Sequence, residues 1–217
     1  IRRQRQMCIR DRLISLSDIL SAGWWERGCS VNRAVFLDRD GVIIENEPSY
    51  VHEPSQLKLI PGSASAIRLL NENGFKVVVV SNQSGVARGY YREENVETLN
   101  EGMMAKLREM GAFIDAIYYC PHHAQAEIEA YRVDCDCRKP KPGMLRKAAQ
   151  HLQIDLKSSF MIGDKLDDIR AGRNAGCKKN ILVLTGHGRD ELKNSDIKPD
   201  FVVSDLFEGT RIILNDK

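Results

Sequence analysis

The sequence lacks a long apolar run: purely apolar stretches such as Val77–Val80 last only a few residues, far short of the roughly 20 needed to cross a bilayer as a helix. No membrane partner is expected. It also lacks a dominant charge. Lys and Arg number 32 against 30 Asp and Glu, and the excess lies in residues 1–33, where seven Arg face Asp11, Asp18 and Glu26. The remainder holds 25 basic and 27 acidic groups, a charge of −2. A body this close to neutral has no basic stripe for a phosphate backbone, which argues against a nucleic-acid partner. An anionic substrate would have to be caught by a few well-placed groups. A disulfide framework is missing as well. Of the six cysteines, Cys120, Cys135 and Cys137 gather beside His122 and His123, while Cys8, Cys29 and Cys177 stand alone. That clustering reads as metal binding in a reducing compartment, so a cytoplasmic location is expected.

What is present suits one globular domain of ordinary composition, with 42% hydrophobic residues. Residues 1–30 open as IRRQRQMCIRDR, with neither helical nor strand period, and resemble the translated adapter text found at the ends of chains predicted from assembled reads. They are expected to form an N-terminal extension outside the domain, which would run over 31–217. From Ala34 the text becomes regular. Strands are expected at 34–38, 75–81, 113–120, 159–164, 180–185 and 200–204. Helices are expected at 62–74 with Ser63 as a cap, at 92–111 with Val96, Leu99, Met103, Leu107 and Met110 on one face, and at 142–152, 166–175 and 206–214. Pro142 suits a first helical turn. This alternation predicts an α/β doubly wound parallel sheet with helices on both faces and no large cap domain. In such a sheet ligands sit outside the carboxyl ends of the strands, and four expected strands end in Asp38, Ser81, Cys120 and Asp164.

Four blocks carry the chemistry. Asp38-Arg39-Asp40-Gly41 sets two carboxylates where a strand gives way to a loop, so that one can attack while the other moves a proton. The same string also occurs in plain turns and calcium loops. Ser81-Asn82-Gln83-Ser84-Gly85 offers a hydroxyl, amides and glycine-permitted backbone donors to phosphate oxygens, or is a polar turn. Arg138-Lys139-Pro140-Lys141-Pro142 supplies cations on a stiffened backbone, or is a solvated basic patch. Gly163-Asp164-Lys165-Leu166-Asp167-Asp168 brings another strand-end carboxylate, or a helix cap. Between the second and third blocks, Cys120, His122, Cys135 and Cys137 can close a tetrahedral Zn²⁺ site of structural type, the alternative being reduced free thiols. The loop they would close ends directly before Arg138 and Lys139.

Taken together and in this order, the four blocks from Ala34 to Gly188 resemble the motifs of the haloacid dehalogenase superfamily of aspartate-nucleophile phosphatases. The resemblance implies that Asp38 attacks phosphorus and that Asp40 protonates the leaving oxygen and then activates water. Ser81 and Lys139 would hold the phosphoryl oxygens, and Asp168 would support Lys139. A catalytic Mg²⁺ would be bound by Asp38, Asp164 and the Asp40 carbonyl. The zinc loop narrows the resemblance to the heptose bisphosphate phosphatases and the histidinol-phosphate phosphatases. Phe36-Leu-Asp-Arg-Asp-Gly41, Tyr50-Val-His52, Ser81–Gly89, Tyr118-Tyr-Cys-Pro-His-His123, Cys135–Pro140 and Gly163-Asp-Lys165 favour the former. That implies removal of the 7-phosphate of D-glycero-D-manno-heptose 1,7-bisphosphate, a step toward nucleotide-activated heptose for lipopolysaccharide. The partner would be a small phosphorylated sugar met by a monomer. Arg138 and Lys165 would recognise the sugar or its distal phosphate, with Arg39, Asn82, Gln83, Ser84 and the loop from Asn46 to Tyr50 lining the pocket. Val42 stands where the family more often has Thr. Histidinol-phosphate hydrolysis is the alternative within this chemistry, and a non-catalytic zinc-stabilised binding module is the alternative outside it.

Overall fold

Ala34–Leu37 forms the first strand, β1, and all four side chains are buried. A short apolar run with polar neighbours is what a central parallel strand requires, because both faces of the sheet are covered. A computed structural model describes residues 31–46, 50–193 and 197–216. The expected extension at 1–30 and the middle of the Asn46–Tyr50 loop lie outside the described residues. Beside β1 run β2 (Lys76–Asn82), β3 (Ala116–Cys120), β4 (Phe160–Gly163), β5 (Lys179–Val183) and β6 (Phe201–Val203). The sheet order is β3-β2-β1-β4-β5-β6 and every pairing is parallel. The chain order reverses at β1, so a crevice opens between β1 and β4 at their carboxyl ends.

The strands alternate their side chains between two cores, as a period of two dictates. Val35, Leu37, Val77 and Val79 pack with α1 (Ser63–Glu72), α3 (Glu93–Glu109) and α7 (Leu206–Asn215), through residues such as Ile67, Leu99, Met103 and Ile213. Ala34, Phe36, Val78 and Val80 turn the other way, onto Met144 and Leu145 of α4 (Gly143–Leu152) and Ala171 of α5 (Leu166–Ala175). Two shorter helices, α2 (Ser84–Ala87) and α6 (Gly188–Lys193), complete the set among the described residues. At four and six residues they are too brief to write a helical period into the sequence. The described residues fall in one compact unit, Val31–Lys217, and none of their helices is long and apolar enough to cross a membrane.

Three local expectations need correction. Ser63 does not cap α1. Gly62, in the left-handed region at φ 86°, takes the boundary, and Ser63 lies buried inside the first turn with a hydroxyl that has no partner. Pro142 stands at the cap position of α4 and Gly143 begins the helix, one residue later than expected. Met110 leaves the apolar face of α3 because the helix ends at Glu109, and its side chain is 52% exposed.

Candidate active site

The end of β1 is locked to β4 where the Asp38 amide donates to the Ile162 carbonyl at 3.0 Å. Past that bond both strands turn their terminal acids into the crevice. Asp38, Asp164 and Asp168 are all buried, with oxygens within 4.8 Å of one another. The cation among them is Lys139, whose Nζ lies 3.0 Å from Asp38 Oδ1 and 2.5 Å from Asp168 Oδ1 and donates to the Val80 carbonyl at 2.7 Å. Burial disfavours the ammonium, but Asp168 and Asp38 outweigh it and raise its pKa. All three ammonium protons are therefore engaged.

Fully ionised, three carboxylates against one ammonium would leave two excess negative charges in a space water scarcely enters. The strain appears at Asp164, whose pKa is pushed up to about 8 by burial first and then by Asp38 and Asp168. Its Oδ2 accepts the His187 amide at 2.9 Å, whereas Oδ1 is buried without a hydrogen-bond partner. An orphaned carboxylate oxygen beside a second carboxylate, in a cluster that would carry two excess negative charges once ionised, fits a hard divalent cation. Gly41 and Gly186 make this approach possible. Each has positive φ, and a Cβ on either would collide with Asp164 Oδ2. The first glycine after the acid pair thus makes room for the Asp164 carboxylate.

Asp40 is held apart from the carboxylate cluster. Arg39 donates to both its oxygens at 3.0–3.3 Å, and Gln83 Nε2 donates to its Oδ2 at 2.8 Å. Arg39 is itself only 1% exposed and is anchored by Asn100 Oδ1 at 2.9 Å. It was expected to line the pocket, but it stands behind Asp40 and fixes it. Tyr91 donates to Gln83 Oε1 at 2.9 Å, which sets the amide so that its NH₂ end faces Asp40. Burial, then the Asp40 charge, raises the Tyr91 pKa, so the hydroxyl stays a donor. The same Gln83 NH₂ donates to Ser81 Oγ at 2.8 Å. Ser81 is satisfied as an acceptor there, and its own proton is free to point into the pocket.

The remaining expected residues divide into two groups. Asn82 does not face outward: its side chain donates to the Lys139 carbonyl at 3.0 Å and accepts the Lys139 amide at 3.1 Å, fastening the cation's backbone to the end of β2. Asp168 accepts the Lys165 amide at 3.0 Å while it pairs with Lys139, so one carboxylate both caps α5 and orients the cation. Ser84, half-buried, opens α2, and Lys165 is exposed at the start of α5. Tyr50 is 38% exposed and meets the rings of Tyr90 and Tyr91 edge-on at 5.2 and 6.0 Å. Arg138 Nη1 donates to the His122 carbonyl at 3.1 Å.

Beyond β3, Cys120, His122, Cys135 and Cys137 bring their ligand atoms within 4.8 Å of one another and could hold a metal ion. The sulfur separations are 3.0–3.5 Å, and His122 Nδ1 lies 3.5 Å from Cys137 and 3.8 Å from Cys120. Hydrogen bonding with Cys120 pulls the Cys137 thiol down to about 5 against its burial, with Cys135 and His122 assisting. Three thiols and an imidazole are the donor set of a closed structural zinc site. His123 is outside the set; its Nδ1 accepts the Gln125 amide at 3.1 Å.

Several contributors escaped sequence reasoning. The loop after β5 supports the site twice, through the His187 amide on Asp164 and through Thr185 Oγ1, which donates to the Gly41 carbonyl at 2.6 Å. Nothing in Thr185-Gly186-His187 marks it as a partner of residues more than twenty positions away. Asn100, a polar residue only 4% exposed beside the apolar stripe of α3, is likewise revealed by the structure and not by a motif.

A HAD-hydrolase-like family model matches residues 136–209. A protein of Haemophilus influenzae named D-glycero-beta-D-manno-heptose-1,7-bisphosphate 7-phosphatase is 48% identical over 183 residues, which is 84% of this chain and 97% of that protein. The Escherichia coli K12 protein of the same name is 48% identical over 153 residues, 70% of this chain and 80% of its own. Among solved structures, D,D-heptose 1.7-bisphosphate phosphatase from B. bronchiseptica, complexed with magnesium and phosphate, superposes with a TM-score of 0.76 at 34% identity. It covers 85% of this chain and 99% of that one.

Proposed function

The chain belongs to the D-glycero-beta-D-manno-heptose-1,7-bisphosphate 7-phosphatase family, and from that premise we propose that it hydrolyses the 7-phosphate ester of D-glycero-D-manno-heptose 1,7-bisphosphate through a phospho-aspartate on Asp38. Among the described residues, the Arg39 amide at 2.8 Å and Lys139 both meet the Asp38 carboxylate at Oδ1. Oδ2 is therefore the oxygen assigned to attack. It bonds to phosphorus as the bond from phosphorus to the sugar oxygen breaks, and Asp40 gives its proton to that departing oxygen. A water then loses a proton to Asp40 and attacks phosphorus. The Asp38–phosphorus bond breaks, inorganic phosphate leaves, and both carboxyl groups return to their starting states. A positioned acid and base of this kind is worth about a hundred- to ten-thousandfold in rate, which is the reason to fix Asp40 from two sides.

The other groups answer the electrostatic problem of bringing a phosphate dianion to a carboxylate. Lys139 places its charge against Asp38. Because its protons are already engaged, it works by neutralisation and by holding the nucleophile still. Ser81 turns its free proton to a phosphoryl oxygen, and the amides at the start of α2 lie along the same rim. Arg138 and Lys165 recognise the distal phosphate and the sugar. Asp38, Asp164 and the Asp40 carbonyl are the residues that would hold magnesium, which supplies charge neutralisation and Lewis-acid polarisation of the phosphoryl group when bound. Cys120, His122, Cys135 and Cys137 would hold zinc and close the loop that leads into Arg138. The four cysteines among the described residues are free thiols, which suits a reducing compartment, and the cytoplasm is proposed on that basis.

The single observation that carries this reading is the buried, unpartnered Asp164 Oδ1 in a carboxylate cluster with Asp38. The test is kcat/KM with Mg²⁺ on the heptose 1,7-bisphosphate and on histidinol phosphate. The bisphosphate is expected to be strongly favoured, and a preference for histidinol phosphate would overturn the substrate assignment.

A further inference from the structure

Glu93, the first residue of α3, has no part in the chemistry described above, yet it accepts the hydroxyls of two half-buried tyrosines. Tyr119 donates to Oε2 at 2.9 Å and Tyr131 to Oε1 at 2.8 Å. Tyr119 is the β3 residue directly before Cys120, and Tyr131 closes a single 3₁₀ turn, Glu129–Tyr131, on the far side of the thiol loop. One carboxylate therefore binds both shoulders of the loop to the start of α3. The start of a helix is where negative charge is best tolerated.

From Tyr131 the connection runs inward. Its carbonyl accepts the His123 amide at 3.1 Å, and its ring lies 6.3 Å from that of His122. The His122 carbonyl in turn accepts Arg138 Nη1 at 3.1 Å. The loop is also tied to the phosphate-binding turn, because the Glu127 and Ile128 amides both donate to the Ala87 carbonyl at 3.1 Å. The thiol cluster gathers the base of the loop; nothing in that cluster fixes its outer turn. Burial, with the Glu93 hydrogen bond adding to it, pushes the Tyr131 hydroxyl up to about 12 and raises that of Tyr119 as well. Both remain donors throughout the working range, and the carboxylate is the natural acceptor for two such donors.

We infer that Glu93 is a positioning residue for substrate recognition: through Tyr119 and Tyr131 it sets the outer half of the thiol loop so that Arg138 meets the non-reacting phosphate of a sugar bisphosphate. The inference rests on the reading of Arg138 as the group that recognises that phosphate. It separates recognition from chemistry, since the contacts of Asp38, Asp40, Ser81 and Lys139 do not pass through Glu93.

The test compares Glu93→Ala, Glu93→Gln, Tyr131→Phe and Arg138→Ala, each purified with its metals and assayed for zinc content. Substrates are the heptose 1,7-bisphosphate and p-nitrophenyl phosphate, which has no second phosphate. Glu93→Ala is expected to raise KM for the bisphosphate about tenfold, the scale of one charge-assisted hydrogen bond lost. Its kcat/KM on p-nitrophenyl phosphate and its zinc content should stay at the wild-type level. Glu93→Gln, which keeps one acceptor oxygen for the two donors, should restore part of the affinity. Tyr131→Phe, a smaller perturbation that avoids any folding defect of the alanine variant, should raise the same KM in the same direction. Equal losses on both substrates, or loss of zinc accompanying the KM effect, would mean that Glu93 is merely structural. If Arg138→Ala raises the bisphosphate KM and the Glu93 and Tyr131 variants do not, the positioning role alone is wrong. If Arg138→Ala leaves that KM unchanged, the reading of Arg138 is wrong and the positioning role falls with it.

Discussion

Lys139 Nζ lies 3.0 Å from Asp38 Oδ1, with both side chains almost wholly buried. The pair comes from segments a hundred residues apart, and neither charge would be tolerable there without the other. A buried ion pair adds little net stability by itself, but removing one partner strands the other in low dielectric, at a cost of about 3–5 kcal/mol. Lys139→Met should therefore destabilise the metal-free protein on that scale, because Asp38, Asp164 and Asp168 would face one another with no cation. Mg²⁺ should recover part of the loss. Denaturant melts with and without Mg²⁺ measure both, and a melt unchanged by the substitution would contradict the charge balance described.

Asp38→Asn keeps the shape of the proposed nucleophile and would remove its reactivity. We expect kcat to fall by about five orders of magnitude, as for other enzymes that lose an essential nucleophile, with a circular dichroism spectrum like the wild type. Trapping of labelled phosphate on the wild-type chain, absent in the variant, would identify the site directly.

Asp40 should show its role through the leaving group. Asp40→Asn is expected to lower kcat about a hundred- to ten-thousandfold on the sugar phosphate, the range of a positioned general acid. The loss should be much smaller in the first half-reaction with p-nitrophenyl phosphate, whose leaving group departs without help. Rapid-quench measurement of the nitrophenol burst distinguishes the two, and equal losses would remove Asp40 from proton transfer.

The Asp164 pKa of about 8 predicts a pH signature for the metal. Its folded value lies above the ordinary carboxylate value, so in the metal-free protein it favours folding most below about pH 4. That contribution declines as pH rises toward 8, since over this range the native state still holds a proton that the unfolded state has already lost. A divalent cation competes with the same proton. Mg²⁺ affinity should thus fall by up to about tenfold per pH unit as the pH drops below 8, which titration calorimetry at several pH values would measure. An affinity flat between pH 6 and 8 would refute the assignment.

Cys135→Ser should release zinc and lower the melting temperature, because the base of the loop would lose one of four ligands. Elemental analysis of the wild-type protein is expected to find one zinc per chain. Finding none would end the zinc reading.

The primary sequence by itself determined the fold class and named the candidates for the chemistry. Apolar strands alternating with helical periods require a sheet covered on both faces, and two acids, a hydroxyl and a thiol at four strand ends mark the candidate residues. Cys120, His122, Cys135 and Cys137 were likewise legible from spacing alone, and the structure brings them together. The tertiary structure alone decided which polar residues face substrate and which face one another. Arg39, Asn82 and Gln83 look like pocket residues in the text, but their hydrogen bonds go to Asp40, Lys139 and Ser81. Asn100, Tyr91 and the His187 amide joined the site without a motif. The physical reason is one of range. A periodic pattern records burial along one element, whereas the direction of a buried side chain depends on what an element tens of residues away places opposite it.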